Sequence, residues 1–410
     1  MGKYLELFRS AFDSSIDEKT KLENKPYVAY STVTRDVVYT IVPKKEEEDT
    51  STTFRFISRE DDNVVDFYSN AWLGRIDDNK KQNVYLKVND GEWISIANQT
   101  SFTLNTGDKL YFKNEGEDLK TFNVNGSSAS IGTTTKTFDV AGNVDEFMIP
   151  SGNMTDKQYQ NLFVSTKIVD ASELILPATE LAAECYAYMF RYCTSLTTVP
   201  ELPATILANS CYSNMFRGCT SLTTAPELPA TTLAENCYQS MFYQCSSLTT
   251  TPVLPATTLA KGCYSGMFND CTSLTTAPEL PATTLAENCY QSMFSRCTSL
   301  TSTPEVLPAT TLAESCYRYM FEECTSLAAA PVLPATTLAE GCYNGMFQRC
   351  TNLNHITCLA TDISATDCAK MWVYGVSSSG TFVKHPNMND WAIGLTYGTP
   401  SGWVVVDAEL

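Results

Sequence analysis

Seven near-copies of one 26-residue unit dominate the chain, each built on the frame Leu-Pro-Ala-Thr-x-Leu-Ala-x-x-Cys-Tyr-x-x-Met-Phe-x-x-Cys-x-Ser/Asn-Leu. The first cysteine of each copy sets the register: Cys185, Cys211, Cys237, Cys263, Cys289, Cys316 and Cys342. The step is 26 residues throughout except for 27 between Cys289 and Cys316, where Pro304-Glu305-Val306-Leu307-Pro308 is one residue longer than its counterparts, a bulge expected in a loop. A fixed period of this length predicts a solenoid whose rungs contact only their neighbours, and such surfaces bind rather than catalyse. Degenerate units flank the set, with Tyr159, Leu162 and Phe163 before it and Ala360-Thr361-Asp362-Ile363 and Met371-Trp372 after it. Atypical end units are what a stack needs to keep its core from water.

The copies also separate inside from outside. Cys237, Met241 and Cys245 fall at i, i+4 and i+8, as do their equivalents, which predicts one face of a short helical segment. With Phe242 these positions scarcely change and are assigned to the core. Between them two pairs of columns drift: Ala187-Tyr188, Ser213-Asn214 and Arg318-Tyr319 belong to one, Arg191-Tyr192, Arg217-Gly218 and Tyr243-Gln244 to the other. These are expected outside. The segment after the second cysteine, such as Ser221-Leu222-Thr223-Thr224, is short and β-branched and reads as the strand of the rung, with Pro226 ending its capacity to pair.

On those residues the unit resembles the BspA-like, Treponema-type class of leucine-rich repeat. The hallmark is a Phe-x-x-Cys-x-x-Leu core followed by Leu-Pro, here Phe268-Asn269-Asp270-Cys271-Thr272-Ser273-Leu274 and Leu280-Pro281, and the resemblance spans roughly residues 155–376. It implies a surface-exposed binding protein, often an adhesin of gut bacteria or their phages. The tail with Gly380-Thr381-Phe382, Trp391, Pro400 and Gly402-Trp403 is similar to the terminal module that closes such arrays.

Fourteen of the 16 cysteines form seven Cys-x7-Cys pairs. On a helical face, i and i+8 lie about 12 Å apart, too far for a disulfide within a rung. Equivalent cysteines of adjacent rungs would stack at about the strand spacing of 4.8 Å with parallel side-chain vectors, which disfavours bonding. Buried free thiols acting as small hydrophobes are expected, and the same holds for Cys358 and Cys368. No Cys-x2-Cys pair or neighbouring histidine suggests zinc.

The first 150 residues differ in kind. Tyr4, Leu5, Phe8, Ala11, Phe12 and Ile16 recur at three- and four-residue spacing, predicting a short amphipathic helix. The runs at 26–30 and 37–42 flank a polar stretch and predict a β-hairpin. The charged segment 43–51 reads as a solvated linker. Alternating runs from Phe54 to Val140 then predict a small β-sandwich, with Asn89-Asp90-Gly91 as a hairpin turn. The chain is therefore expected to be multi-domain and mainly β with short helices: an N-terminal hairpin and helix segment at 1–50, a β-sandwich at 51–152, a leucine-rich-repeat solenoid at 153–376 and a capping module at 377–410.

Composition narrows the function. The chain has 46 acidic against 28 basic side chains, a net charge of −18, which argues against a nucleic-acid groove. The two histidines, His355 and His385, lie outside any His-Glu-x-x-His frame, and no nucleophile elbow or phosphate loop appears, so no enzyme and no cofactor are expected. Asp61-Asp62, Asp66 and Asp77-Asp78 depart from the spacing of a calcium loop, and no metal is expected. No apolar run suits a signal peptide or a membrane span, so no membrane insertion is expected.

The segment from Lys25 to Thr40 with the acidic linker behind it is similar to the start of gut-phage virion proteins. That resemblance and the absence of a leader imply a virion component made in the bacterial cytoplasm, the alternative being a bacterial cell-surface or secreted adhesin. In this reading Tyr4, Leu5, Phe8, Phe12, Tyr27 and Tyr30 attach the chain to other virion proteins. Recognition of a host surface protein or glycan falls to Tyr188, Tyr192, Arg217, Tyr243, Arg318 and Tyr319, Tyr and Arg being the usual anchors of binding patches. The reading leaves room for a homo-oligomer. An ice-binding array on Thr223-Thr224 and Thr249-Thr250 is disfavoured, because Ala328-Ala329 and Asn354-His355 interrupt those columns.

Overall fold

The computed structural model describes residues 27–30, 39–42, 50–66, 83–99, 101–116, 133–149, 152, 154–389, 391–392, 394 and 396–409. The chain divides into two compact units, Met1–Thr50 and Ser51–Leu410. In the first, β1 (Tyr27–Tyr30) pairs antiparallel with β2 (Tyr39–Val42), Tyr27 opposite Val42 and Tyr30 opposite Tyr39, as the flanking apolar runs predict. The expected helix on Tyr4, Leu5, Phe8 and Phe12 and most of the expected linker lie outside the described residues.

The second unit begins with two sheets. β3 (Arg55–Ser58), β5 (Val84–Val88), β6 (Ile94–Ser95), β8 (Lys109–Asn114), β10 (Phe138–Asn143) and β11 (Glu173–Ile175) form a six-stranded sheet in the order β11-β10-β3-β8-β5-β6. β4 (Asn63–Asp66), β7 (Ser101–Leu104) and β9 (Thr133–Thr134) form a three-stranded one in the order β7-β4-β9. The turn at Asn89-Asp90-Gly91 joins β5 to β6 as expected, with Tyr85 opposite Ser95. Alternate residues point inward, and Phe56, Phe112 and Phe138 meet Val65, Phe102 and Leu104 of the smaller sheet in one core. The Phe56 ring lies 4.7 Å from Phe112 and 4.8 Å from Phe138, centroid to centroid. Among the described residues the one α-helix is α1 (Val144–Met148), capped by Asn143, whose side chain accepts from the Asp145 N–H at 3.0 Å.

The core runs on from these sheets into the repeats. β10 pairs parallel with β11, Phe138 forms a parallel bridge with Ile168 and Asp170 one with Thr198. Phe163 packs on Phe54, and the Tyr159 hydroxyl donates to Asp145 Oδ1 at 2.5 Å. From there each copy bonds to the next. Tyr159, Tyr186, Tyr212, Tyr238, Tyr264, Tyr290, Tyr317 and Tyr343 form one buried column of rings, with neighbouring centroids 5.4 Å apart at its start and 6.1 Å at its end. A parallel column of phenylalanines runs from Phe163 to Phe347, and Trp372 covers the end of both. The Trp372 indole N–H donates to Gly398 O at 2.9 Å.

Three local expectations need correction. Of the drifting columns expected outside, Ala187, Ser213 and Asn214 are buried, because the tight winding turns part of each column toward the neighbouring copies. The Cys-to-Cys segment is not helical. Its backbone alternates between a tight three-residue turn and a bond to the next copy: Tyr186 N donates to Cys211 O at 3.0 Å, Ala187 N to Glu184 O at 3.1 Å, Tyr188 N to Ser213 O at 2.9 Å and Met189 N to Tyr186 O at 3.2 Å. Every fourth residue takes a left-handed φ, as at Glu184 (53°), Tyr188 (60°) and Tyr192 (61°). The winding thus repeats every four residues, which puts Cys, Met and Cys on one face as a helix would. The segment after the second cysteine is also less than a strand. Thr224 meets Thr250, and Thr276 meets Ser302, through single parallel bridges, because the proline two residues on has no N–H to extend the ladder. The added residue at Val306 is absorbed where such a loop would be, bridging to Val332 and leaving Leu307 buried like Leu333.

Regular strands return at the end of the stack. β12 (His355–Cys358), β13 (Gly380–Lys384) and β14 (Trp403–Asp407) form a parallel three-stranded sheet in that order.

Candidate binding surface

The four-residue winding decides what can stand on the surface. Relative to the first cysteine of each copy, positions −1, +3 and +7 carry the left-handed φ, as at Ser210, Asn214 and Gly218 or at Gly262, Gly266 and Asp270. Gly, Asn, Asp and Ser recur there because a Cβ meets the following carbonyl in that conformation. The drifting columns are therefore constrained by backbone and free in chemistry. Where a bulky residue takes such a position, the next copy yields space: a Cβ on Gly218 would stand 2.3 Å from Tyr192 Cδ1, and one on Gly345 would stand 2.2 Å from Tyr319 Cδ1.

Four of the six expected recognition residues come together in the first three copies. The Arg191 guanidinium carbon sits 5.4 Å from the Tyr188 ring centroid and 4.6 Å from that of Tyr192. The Arg217 guanidinium lies 4.5 Å from the Tyr243 ring. Arg191 Nη2 donates to the Tyr192 hydroxyl at 3.3 Å, and Arg217 Nη1 to Asn214 Oδ1 at 3.4 Å. That bond from Arg191, reinforced by the charge of Arg217, holds the Tyr192 phenol below its ordinary pKa. The cluster is thus a cation–π ladder, Tyr188–Arg191–Tyr192 followed by Arg217–Tyr243, with Tyr192 exposed. Arg318 and Tyr319 form a separate stack three copies on, 5.0 Å from guanidinium carbon to ring centroid.

Arg191 is the member that residue type alone did not select, although it adjoins Tyr192 in the same drifting columns. Among the described residues, none of Arg191, Arg217 and Arg318 has a carboxylate within salt-bridge distance, and each buries its Nε without a hydrogen-bond partner. Other arginines of the stack do find acids: Arg296 lies 3.4 Å from Glu323, and Arg349 Nη1 lies 2.7 Å from it. The charge of Arg318 still reaches Asp367, whose carboxyl pKa it helps to lower behind the closer Lys370.

A second, open groove of about 590 Å³ runs along the turns that include Thr198, Pro200, Glu201, Thr224, Pro226 and Glu227. Its walls are largely apolar, with two glutamates at hand.

The N-terminal expectation is reached only in part. Tyr27 and Tyr30 are the end residues of β1, while Tyr4, Leu5, Phe8 and Phe12 lie outside the described residues.

All 16 cysteines are free and buried. The second cysteine of each copy is more than a small apolar filler. Cys219 Sγ donates to Phe190 O at 3.1 Å, Cys245 to Phe216 O at 3.1 Å and Cys350 to Phe321 O at 2.9 Å, each reaching back to the preceding copy. Burial pushes the Cys193 thiol up to about 11 and those of Cys211 and Cys245 up to about 12. Neutral, desolvated thiols of this kind are poor nucleophiles and poor metal ligands.

Elsewhere Asp61 accepts from both the N–H and the hydroxyl of Thr106, and His385 Nδ1 accepts from Asn387 N at 3.1 Å. Among the described residues no three His, Cys, Asp or Glu side chains gather as a metal-binding group, and no helix is long and apolar enough to cross a membrane.

A family model described as a BspA type leucine-rich repeat region matches residues 159–301 and 264–368, in six copies. Among solved structures, a leucine-rich repeat protein of T. pallidum is similar at 16% identity, with 47% of this chain and 83% of that chain covered and a TM-score of 0.25. No curated protein matches.

Proposed function

Because the chain belongs to the BspA-type leucine-rich repeat family, we propose that it is a non-catalytic binding protein carried on a phage particle, with a solenoid that adheres to a protein, glycan or mucosal ligand of the host surface. The observation that carries the adhesive half is the ladder of Tyr188, Arg191, Tyr192, Arg217 and Tyr243, whose arginines stack on tyrosines and, among the described residues, have no carboxylate within salt-bridge distance. Stacked Arg and Tyr lose little side-chain freedom on binding, which makes them efficient anchors. The Arg318–Tyr319 pair offers a second contact of the same chemistry.

Carriage on a particle rests on the N-terminal resemblance to virion proteins and on the separate compact unit Met1–Thr50 that holds the β1–β2 hairpin. The family match supports a bacterial surface adhesin of the BspA-like class equally well. Mass spectrometry of purified particles separates the two: the phage reading requires the chain in stoichiometric amount. A second arm deletes residues 1–50 and asks whether the remainder still enters particles. Undiminished incorporation of the truncated chain would remove the attachment role from that unit.

A further inference from the structure

The open groove along the turns of the first two copies shares no residue with the tyrosine–arginine ladder. Its space of about 590 Å³ is walled by Pro200, Pro203, Pro226 and Pro229 with Leu202 and Ala225. Proline has no N–H to offer, so at four places the wall presents ring carbon and no donor. The side chains on the groove that carry polar atoms are serine, threonine and glutamate, without a single cationic group. Glu201 and Glu227 are exposed, and among the described residues neither carboxylate has a basic side chain within salt-bridge distance. By contrast Glu287 has Lys261 at 2.8 Å and Glu184 has Lys157 at 3.5 Å. Thr197 and Thr198 commit their hydroxyls to Val169 O and to Asp170. One copy on, the exposed Thr223 and Thr224 leave theirs at the groove.

We propose that this groove binds an extended basic peptide segment, its lysine or arginine side chains laid along the proline wall. The stem of such a side chain covers apolar surface while its charged head stays with polar groups. The head brings the donors that the wall lacks, and each bond to a carboxylate is charge-assisted. The repeat supplies the spacing. Glu201 and Glu227 hold the same place in successive copies, whose stacked rings Tyr186 and Tyr212 are 5.7 Å apart. In a strand laid along the stack, residues i and i+2 point the same way about 6.6 Å apart, so alternate basic residues meet successive glutamates. In the third copy the equivalent residue is Val253, which confines the acid pair to the two copies that form the groove.

A net charge of −18 attracts any cation to the whole chain, so the experiment must separate the groove from the field. A fluorescein-labelled peptide of alternating lysine and serine is titrated with the full chain and followed by anisotropy at low ionic strength, each variant first shown to melt like the parent. The parent should bind it and should not bind the matching glutamate–serine peptide. Glu201→Gln combined with Glu227→Gln should weaken binding about tenfold or more. Glu314→Gln combined with Glu340→Gln removes the same charge from two exposed acids of adjacent copies away from the groove, and should change binding less than about twofold. Thr224→Trp fills the groove without altering charge and should also weaken binding. A parent that does not bind, equal losses in the two glutamine pairs, or an unaffected Thr224→Trp variant would each overturn the proposal. So would equal binding of a glucosamine hexamer, which carries amines on rigid rings without an apolar stem.

Discussion

The ring of Tyr192 occupies the space that a side chain on Gly218, one copy further along, would need: a Cβ there would stand 2.3 Å from Tyr192 Cδ1. Gly218 also has a left-handed φ of 74°. Gly218→Ala therefore meets both a conformational cost of about 1–2 kcal/mol and a displaced ring. Gly152 has the same φ of 74° with nothing among the described residues within 4 Å of a built Cβ, so Gly152→Ala measures the conformational cost. Denaturant titration should find Gly218→Ala the more damaging of the two, and the tyrosine fluorescence of the native state should change only there. Equal losses would mean that Tyr192 is not held by Gly218.

The thiols predict an alkaline limit to stability. In an unfolded chain cysteine ionises near about pH 8.5. In the fold burial raises Cys193 to about 11 and Cys211, Cys245, Cys289, Cys342 and Cys358 to about 12. Folded values above unfolded ones mean a contribution fully present below pH 8.5 and lost as pH rises through the folded values. Each such thiol weakens the fold by about 1.4 kcal/mol per pH unit inside that window. Melting under reducing conditions should hold steady from pH 7 to pH 8 and fall steeply between pH 9 and pH 11. Alkylation in denaturant should count 16 thiols; a count near 2 would reveal disulfides between copies.

Met267 is fully buried in the middle of the stack, whereas Gln239 is half-buried in a drifting column. Met267→Asp places a carboxylate among apolar side chains and should cost several kcal/mol, on the order of 3–5. Gln239→Asp should cost less than about 1 kcal/mol. Calorimetry of the two variants checks the assignment of inside and outside, and matching melting temperatures would contradict it.

The core was legible because copies act as their own alignment: Cys237, Tyr238, Met241, Phe242 and Cys245 are invariant and fully or almost fully buried. The winding between them was misread for a definable reason. Over nine residues, apolar positions at i, i+4 and i+8 fit a period of 3.6 nearly as well as one of 4.0. The signal that separates them was present in Gly262, Gly266 and Asp270 and in Ser210, Asn214 and Gly218, four residues apart, where a helix would not favour such types. The strands after the second cysteine were overread from β-branched composition, since Thr224 makes a single bridge. The contact between Arg217 and Tyr243 was within reach, because residues 26 apart in a stack are neighbours. The place of Arg191 between two tyrosines depends on side-chain direction at left-handed positions, which the order of residues does not disclose.

The reading of the repeats as a recognition surface stands or falls on binding by the full chain. Purified parent protein and a variant combining Arg191→Ala, Arg217→Ala and Tyr192→Ala, first shown to melt alike, are labelled and titrated onto cells of the bacterium from which the phage or surface protein comes. At least a tenfold weaker attachment of the variant is expected, with parent binding falling as salt rises. Indistinguishable titration curves would show that the tyrosine–arginine ladder is a structural stack and that recognition lies elsewhere.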